Sequence, residues 1–133
     1  MTATLELTAD YEAARAIGPW LTQTLEDLKA PHAERVGELE LAIHELAINI
    51  VDHAYDDTSR PGATYTIGLH CEDDELIASF SDHGCAYVDE RQPKGDEPTI
   101  RGYGLIIVEQ LASKVTYERV GSENRWTLVF ASN

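Results

Sequence analysis

At 133 residues with a formal net charge of −14, from 24 acidic against 10 basic side chains, the chain is sized for one domain with a real core and too short for two independently stable ones. That acidity argues against direct nucleic-acid binding and against attachment to an anionic membrane, and no apolar run approaches the roughly 20 residues that span a bilayer. The start, MTATLELTAD, lacks a signal-peptide pattern, and Cys71 and Cys85 form neither a CxxC pair nor a metal-ligand spacing, so a cytoplasmic protein with reduced thiols is expected.

Leu5 and Leu7 alternate with polar neighbours and predict a first strand over 2–7. Thr8 or Asp10 then caps a helix over 11–28, whose apolar residues Ala14, Ile17, Leu21, Leu25 and Leu28 recur at three- and four-residue intervals. Gly18-Pro19 lies inside it, and because Pro costs roughly 3 kcal/mol in a helix interior, a kink or break is expected there. Residues 29–32 connect to a second helix over 33–52.

The stretch 38–55, ELELAIHELAINIVDHAY, is the most informative part of the chain. Leu39, Ile43, Leu46, Ala47 and Ile50 give it a wide buried stripe. A second stripe, Glu45, Asn49 and Asp52 at i, i+4 and i+7, stacks on one face. Two carboxylates and a carboxamide in line suit a cation or a reacting water; taken alone they suit a solvated helix face equally well. His53 fits a ligand-site residue or one that caps or packs at the helix end, and His44 fits a structural or surface role.

Residues 56–62, DDTSRPG, form a loop by composition. Tyr65, Ile67, Leu69 and Cys71 then alternate as a half-buried strand, and Asp73-Asp74 turns the chain into a second strand over 76–81. Residues 82–101, DHGCAYVDERQPKGDEPTIR, show no period and predict a long loop of the kind that forms lids. Gly102-Tyr103-Gly104 opens a third helix carrying Leu105, Ile106, Val108 and Leu111, and strands over 115–120 and 125–130 follow, joined by a GSEN turn. The order β-α-α-β-β-loop-α-β-β predicts an α+β two-layer sandwich: a mixed, mostly antiparallel sheet of about five strands with three main helices.

Three motifs in one order, Glu45-x-x-x-Asn49 on a helix, Asp82-x-Gly84 at a strand end and Gly102-x-Gly104-Leu105 opening a helix after a lid-like loop, resemble the GHKL ATPase superfamily. ELAINIVDHAY, GYGLIIVEQLAS and a domain filling the chain look most like the bacterial anti-sigma-factor serine/threonine kinases. The resemblance implies an ATP-binding domain over 1–133 with a lid at 82–101. Asn49 would be the Mg²⁺ ligand, and Glu45 the catalytic base that takes a proton from a protein serine or threonine. Asp82 would accept a hydrogen bond from the adenine amino group, with Gly84 letting the backbone approach the base. Gly102 and Gly104, with Leu105 behind them, would offer backbone N–H groups to the phosphates, and Asp52, His53 and Arg101 would complete the nucleotide site.

ATP and ADP, a sigma factor, a small anti-sigma-factor antagonist as phosphorylation substrate, and a homodimer formed through the sheet and first helix are the implied partners. Ala86 stands where the family often has a second glycine, which leaves nucleotide affinity or lid geometry open to change. The alternative function is a nucleotide-sensing binding module without phosphotransfer.

Overall fold

The computed structural model describes residues 2–30, 32–54, 63–84 and 102–131. The first strand, β1, is Ala3–Thr8, one residue further along than the alternation predicts. Of the two expected caps Asp10 serves: its Oδ1 accepts the Ala13 N–H at 2.7 Å and starts a turn of 3-10 helix over Ala13–Ala16.

The expected helix over 11–28 is not broken at Gly18-Pro19: its first turn, Ala13–Ala16, is 3-10 and leads without interruption into α-helix that runs through both residues. The α-helical part, α1, is Ile17–Asp27, with Pro19 in its first turn, where no intrahelical partner is required of its missing N–H. Lys29 takes a left-handed backbone (φ 53°) just past the end of α1. The Ala30 N–H reaches Leu25 O at 3.0 Å and the Lys29 N–H reaches Glu26 O at 3.1 Å, so the last carbonyls are satisfied without a glycine.

The long helix, α2, is Val36–Ala54 and follows a 3-10 turn at Ala33–Arg35. Its stripe of Leu39, Ile43, Leu46, Ala47 and Ile50 is buried, as the spacing predicts. Strands β2 (Thr64–Glu72) and β3 (Glu75–Asp82) make the expected hairpin, α3 is Gly102–Leu111, and β4 (Lys114–Val120) pairs with β5 (Glu123–Phe130). The sheet has five strands in the order β1-β2-β3-β5-β4, and all its pairings are antiparallel, so the mixed character expected of it is absent from the described strands.

One face of this sheet carries the core. Tyr65, Ile67, Leu69, Leu76, Ala78, Phe80, Trp126, Leu128 and Phe130 are buried against α1, α2 and α3. Cys71, read as continuing the buried alternation of β2, is exposed instead, because the strand has by then run to the hairpin end. The other face is lined by small and polar side chains, and Thr66, Gly68, Ser79, Ser81, Arg125 and Thr127 border a hollow of about 350 Å³ on it. None of the motif residues lines that hollow.

The β4–β5 turn corrects the reading of GSEN as a four-residue connection. Gly121, at φ 60°, and Ser122 make a two-residue turn, with Val120 paired to Glu123, so Asn124 is already a strand residue paired to Asp82. Among the described residues no helix is long and apolar enough to cross a membrane.

Candidate functional site

Strand pairing lines up one row across the sheet: Leu7, Tyr65, Asp82, Asn124 and Arg119, from β1, β2, β3, β5 and β4 in turn. Directly opposed residues of an antiparallel sheet point to the same side, so this row lies on the helix-covered face, at the end where β3 leaves the sheet. It turns polar where the rest of that face is apolar.

Asp82 is 2% exposed. Its Oδ1 accepts the Gly84 N–H at 2.9 Å, closing a side-chain turn over the Asp-x-Gly motif, and also accepts Asn124 Nδ2 at 2.7 Å. Its Oδ2 is buried with no partner among the described residues. Burial pushes the Asp82 carboxyl above the usual carboxylate range; the Asn124 and Gly84 hydrogen bonds and the charges of Arg119 and His83 pull the other way without cancelling it. The neighbouring Tyr65 hydroxyl is also buried with no partner among the described residues, and burial, then the charge of Asp10, pushes its phenol up to about 12.

On α2, Asn49 is 6% exposed and its Nδ2 is buried with no partner among the described residues. Glu45, one turn earlier on the same face, is half-buried. Asp52 completes the stripe, but its Oδ1 accepts the hydroxyl of Tyr11, which ties the end of α2 to the segment after β1. His53 lies within α2, and its side chain is outside the described residues. Gly102 and Gly104 form the first turn of α3 and Leu105 is buried beneath it. α3 packs against α2, so the two helices share one layer. Arg101, Ala86 and most of the expected lid, 85–101, lie outside the described residues.

The structure therefore joins Asp82 and Gly84 by direct hydrogen bonds, sets Glu45, Asn49 and Asp52 on one helix face, and places the glycine pair at a helix start. Sequence reasoning missed Asn124 and Arg119. Asn124, 2% exposed, accepts the Tyr117 hydroxyl at 2.5 Å and Arg119 Nη1 at 2.9 Å on its Oδ1. Arg119 Nη1 also donates to Gly84 O at 2.8 Å, clamping the Asp-x-Gly turn from the last hairpin. A signal for Asn124 exists: counting back in twos from Phe130, Leu128 and Trp126 lands on it.

Among the described residues these are a buried acceptor at a strand end, a buried amide on α2 and a glycine pair in the first turn of α3. The profile of the histidine kinase-like ATPase domain family matches residues 7–130. The chain belongs to that family, and its five-stranded sheet and three helices are the α+β sandwich of a GHKL domain.

Among solved structures, the RsbU and RsbW domains of Rv1364c from Mycobacterium tuberculosis share this fold with a TM-score of 0.69 at 22% identity, over 98% of this chain and 32% of that one. The chain thus spans about a third of that protein's structure. The histidine kinase AdeS of Acinetobacter baumannii matches with a TM-score of 0.56 at 14% identity, over 98% of this chain and 68% of that one. The histidine kinase domain of the Erythrobacter litoralis EL346 blue-light-activated histidine kinase matches with a TM-score of 0.50 at 21% identity, over 74% and 45%. No curated protein sequence matches the chain.

Proposed function

We propose that the chain is an ATP-dependent protein serine/threonine kinase that acts as an anti-sigma factor, holding a sigma factor and phosphorylating a small antagonist protein. The observation that carries the nucleotide reading is the pair of buried, unpartnered polar atoms, Asp82 Oδ2 and Asn49 Nδ2, on two of the family's motif positions. Each unpaired buried group costs roughly 1–3 kcal/mol, so a ligand that supplies an amino donor to one and an anionic oxygen to the other recovers what folding left unpaid. Adenine and a phosphate group supply those two. The motif order of the anti-sigma-factor kinases, and the fold shared with a structure that includes an RsbW domain, support the kinase assignment.

Asn49 also fits Mg²⁺: its amide has an oxygen of the kind a hard cation takes, on a buried side chain whose nitrogen has no partner among the described residues. Bound there, the ion would neutralise phosphate charge. The chain's own part in the reaction falls to Glu45, which accepts the proton of the attacking hydroxyl, and to the α3 N-terminus, whose N–H groups hold the phosphates. Asp82 fixes the base. The segment 82–101 would close over the nucleotide, and the protein would work as a homodimer.

The test is a single-turnover assay with labelled ATP and candidate antagonist proteins, run on the wild type and on Glu45→Ala with nucleotide binding measured on the same preparations. Glu45 is half-buried, so the variant should fold and bind Mg·ATP and the sigma factor. Phosphotransfer should fall by roughly 10²-fold or more, the range for losing a positioned general base. Unchanged transfer would remove Glu45 as the base. Nucleotide binding with no transfer by the wild type would leave a nucleotide-sensing binding module.

A further inference from the structure

We propose that Asn124 is the positioning residue of the Asp82 site: Tyr117 and Arg119 lock its amide in one orientation, so that it occupies Asp82 Oδ1 and leaves Oδ2 as the oxygen that reads the ligand. The inference rests on the reading of Asp82 as the acceptor for an adenine amino group.

The orientation of the amide follows from donor chemistry. A guanidinium carries only donors, so the atom of Asn124 that lies 2.9 Å from Arg119 Nη1 is its carbonyl oxygen. The Tyr117 hydroxyl donates to the same oxygen at 2.5 Å. The NH₂ end must then face Asp82, and it does, with Nδ2 at 2.7 Å from Oδ1. A flipped amide would set oxygen against carboxylate oxygen on one side and NH₂ against guanidinium on the other. Both contacts are repulsive.

The consequence falls on Asp82. Its Oδ1 takes two donors, the Gly84 N–H and Asn124 Nδ2, while Oδ2 takes none from the described residues. A buried carboxylate anchored through one oxygen cannot rotate to share its charge. A ligand meets a single fixed acceptor, which matches an exocyclic amino group and repels the carbonyl that hypoxanthine or guanine carries at the same ring position. The Asn124 hydrogen bond also favours the ionised carboxyl, lowering the Asp82 pKa against the larger desolvation that raises it.

Several groups face Asp82. Arg119 comes from β4 and His83 from the end of β3, and both favour the ionised form. Tyr65 comes from β2 as a neutral phenol, and α2, packed on β3, brings the uncharged Asn49 and, a turn away, Glu45 to the same side of the sheet. Asn124 is therefore the hydrogen-bond donor that β5 contributes, and Tyr117 and Arg119 act one step further out, through it.

The test measures ADP and IDP affinity by calorimetry between pH 5 and 8 for the wild type, Asn124→Leu and Tyr117→Phe, with Asp82→Asn as the reference that lacks the carboxyl. The ¹³C shift of the Asp82 carboxyl in the nucleotide-free protein is followed over a wider pH range. In Asn124→Leu the carboxyl midpoint should move to higher pH, ADP affinity at pH 7 should fall about tenfold or more, and the ADP:IDP preference should shrink. Tyr117→Phe, which removes one oxygen from a half-buried ring and keeps its packing, should shift each in the same direction by less.

An unmoved carboxyl midpoint and unchanged ADP:IDP ratio in both variants would overturn the proposal, whatever happens to affinity, because that is the pattern of a merely structural residue. Full ADP affinity in Asp82→Asn would instead bring down the underlying assignment of Asp82. The carboxyl titration reads the Asn124 effect independently of that result.

Discussion

Asp82 is buried with one oxygen unpartnered among the described residues, and its burial sets folding against the proposed binding. A carboxyl whose folded pKa is raised binds more protons folded than unfolded, so its contribution to stability is present below the unfolded pKa of about 3.9 and is lost as pH rises through the folded value. Where it is ionised the carboxylate is thus a cost to the empty protein, whereas the ionised form is the one that the proposed adenine contact calls for. Asp82→Asn should raise the melting temperature of the nucleotide-free protein at pH 7 by a few degrees, the shift of about 1 kcal/mol in a domain of this size. The gain should vanish in melts run below the unfolded pKa, and calorimetry should show adenine-nucleotide binding lost. A variant less stable than the wild type at pH 7 would mean that Oδ2 has a partner in solution. At this scale the sequence shows the residues that sit inside local motifs, Glu45, Asn49 and Asp82. It hides Asn124 and Arg119, because their roles arise from strand register: Asn124 lies 42 residues from Asp82 along the chain, and an asparagine beside Gly121 and Ser122 has the composition of a turn.

The elements were legible in order and type, and their ends were less so. Apolar spacing specifies which face of a strand or helix is buried, but ends depend on caps and turns whose backbone angles composition only suggests. The β2–β3 turn shows the difference. Asp73-Asp74 does turn the chain, yet both residues adopt a left-handed backbone, φ 52° and 64°, where an L side chain is strained. The flanking Glu72 and Glu75 are direct cross-strand partners, which sets like charges opposite one another. Asp73→Asn with Asp74→Gly, the residue pair that such a two-residue turn favours, leaves that glutamate pair in place but removes two neighbouring carboxylates, and should stabilise the fold by about 1 kcal/mol, mostly from relieved backbone strain. Thermal melts at low salt should show the gain, and part of it should disappear in 1 M NaCl, where the charge component is screened.

His32 makes the opposite case at the α1–α2 connection, which reads as a plain link. Its ring is fully buried and Nε2 lies 3.0 Å and 3.1 Å from the carbonyl oxygens of Phe130 and Ala131, fastening the end of β5 to the helical layer. Two carbonyls can only accept, so Nε2 carries the proton. Arg35 Nη1 adds a second donor to Ala131 O at 3.0 Å. His32→Leu leaves a buried carbonyl without its donor and should cost about 1–3 kcal/mol in urea melts, with ADP affinity in the folded fraction unchanged, since this link lies at the opposite end of β5 from Asn124. A neutral melt would mean that water replaces the ring.

Over the whole molecule the dominant quantity is charge. A formal net charge of −14 creates a field that opposes every anion and favours every cation that approaches. The proposed site would compensate locally with the α3 N-terminus and uncharged amides, but encounter is governed by the long-range field, which salt screens over a Debye length of about 10 Å at 0.1 M. A nucleotide and a basic protein partner should then respond to salt with opposite signs. Stopped-flow association of a fluorescent ADP, measured with saturating Mg²⁺, should accelerate as NaCl is raised from about 0.05 M to 0.5 M, because screening removes repulsion from a ligand that stays anionic even when Mg-bound. Association of a basic partner protein should slow over the same range, by tenfold or more if steering operates at its usual strength. Nucleotide association that also slows with salt would show that local positive potential at the phosphate end outweighs the global field, and that a cation near the start of α3 supplies it.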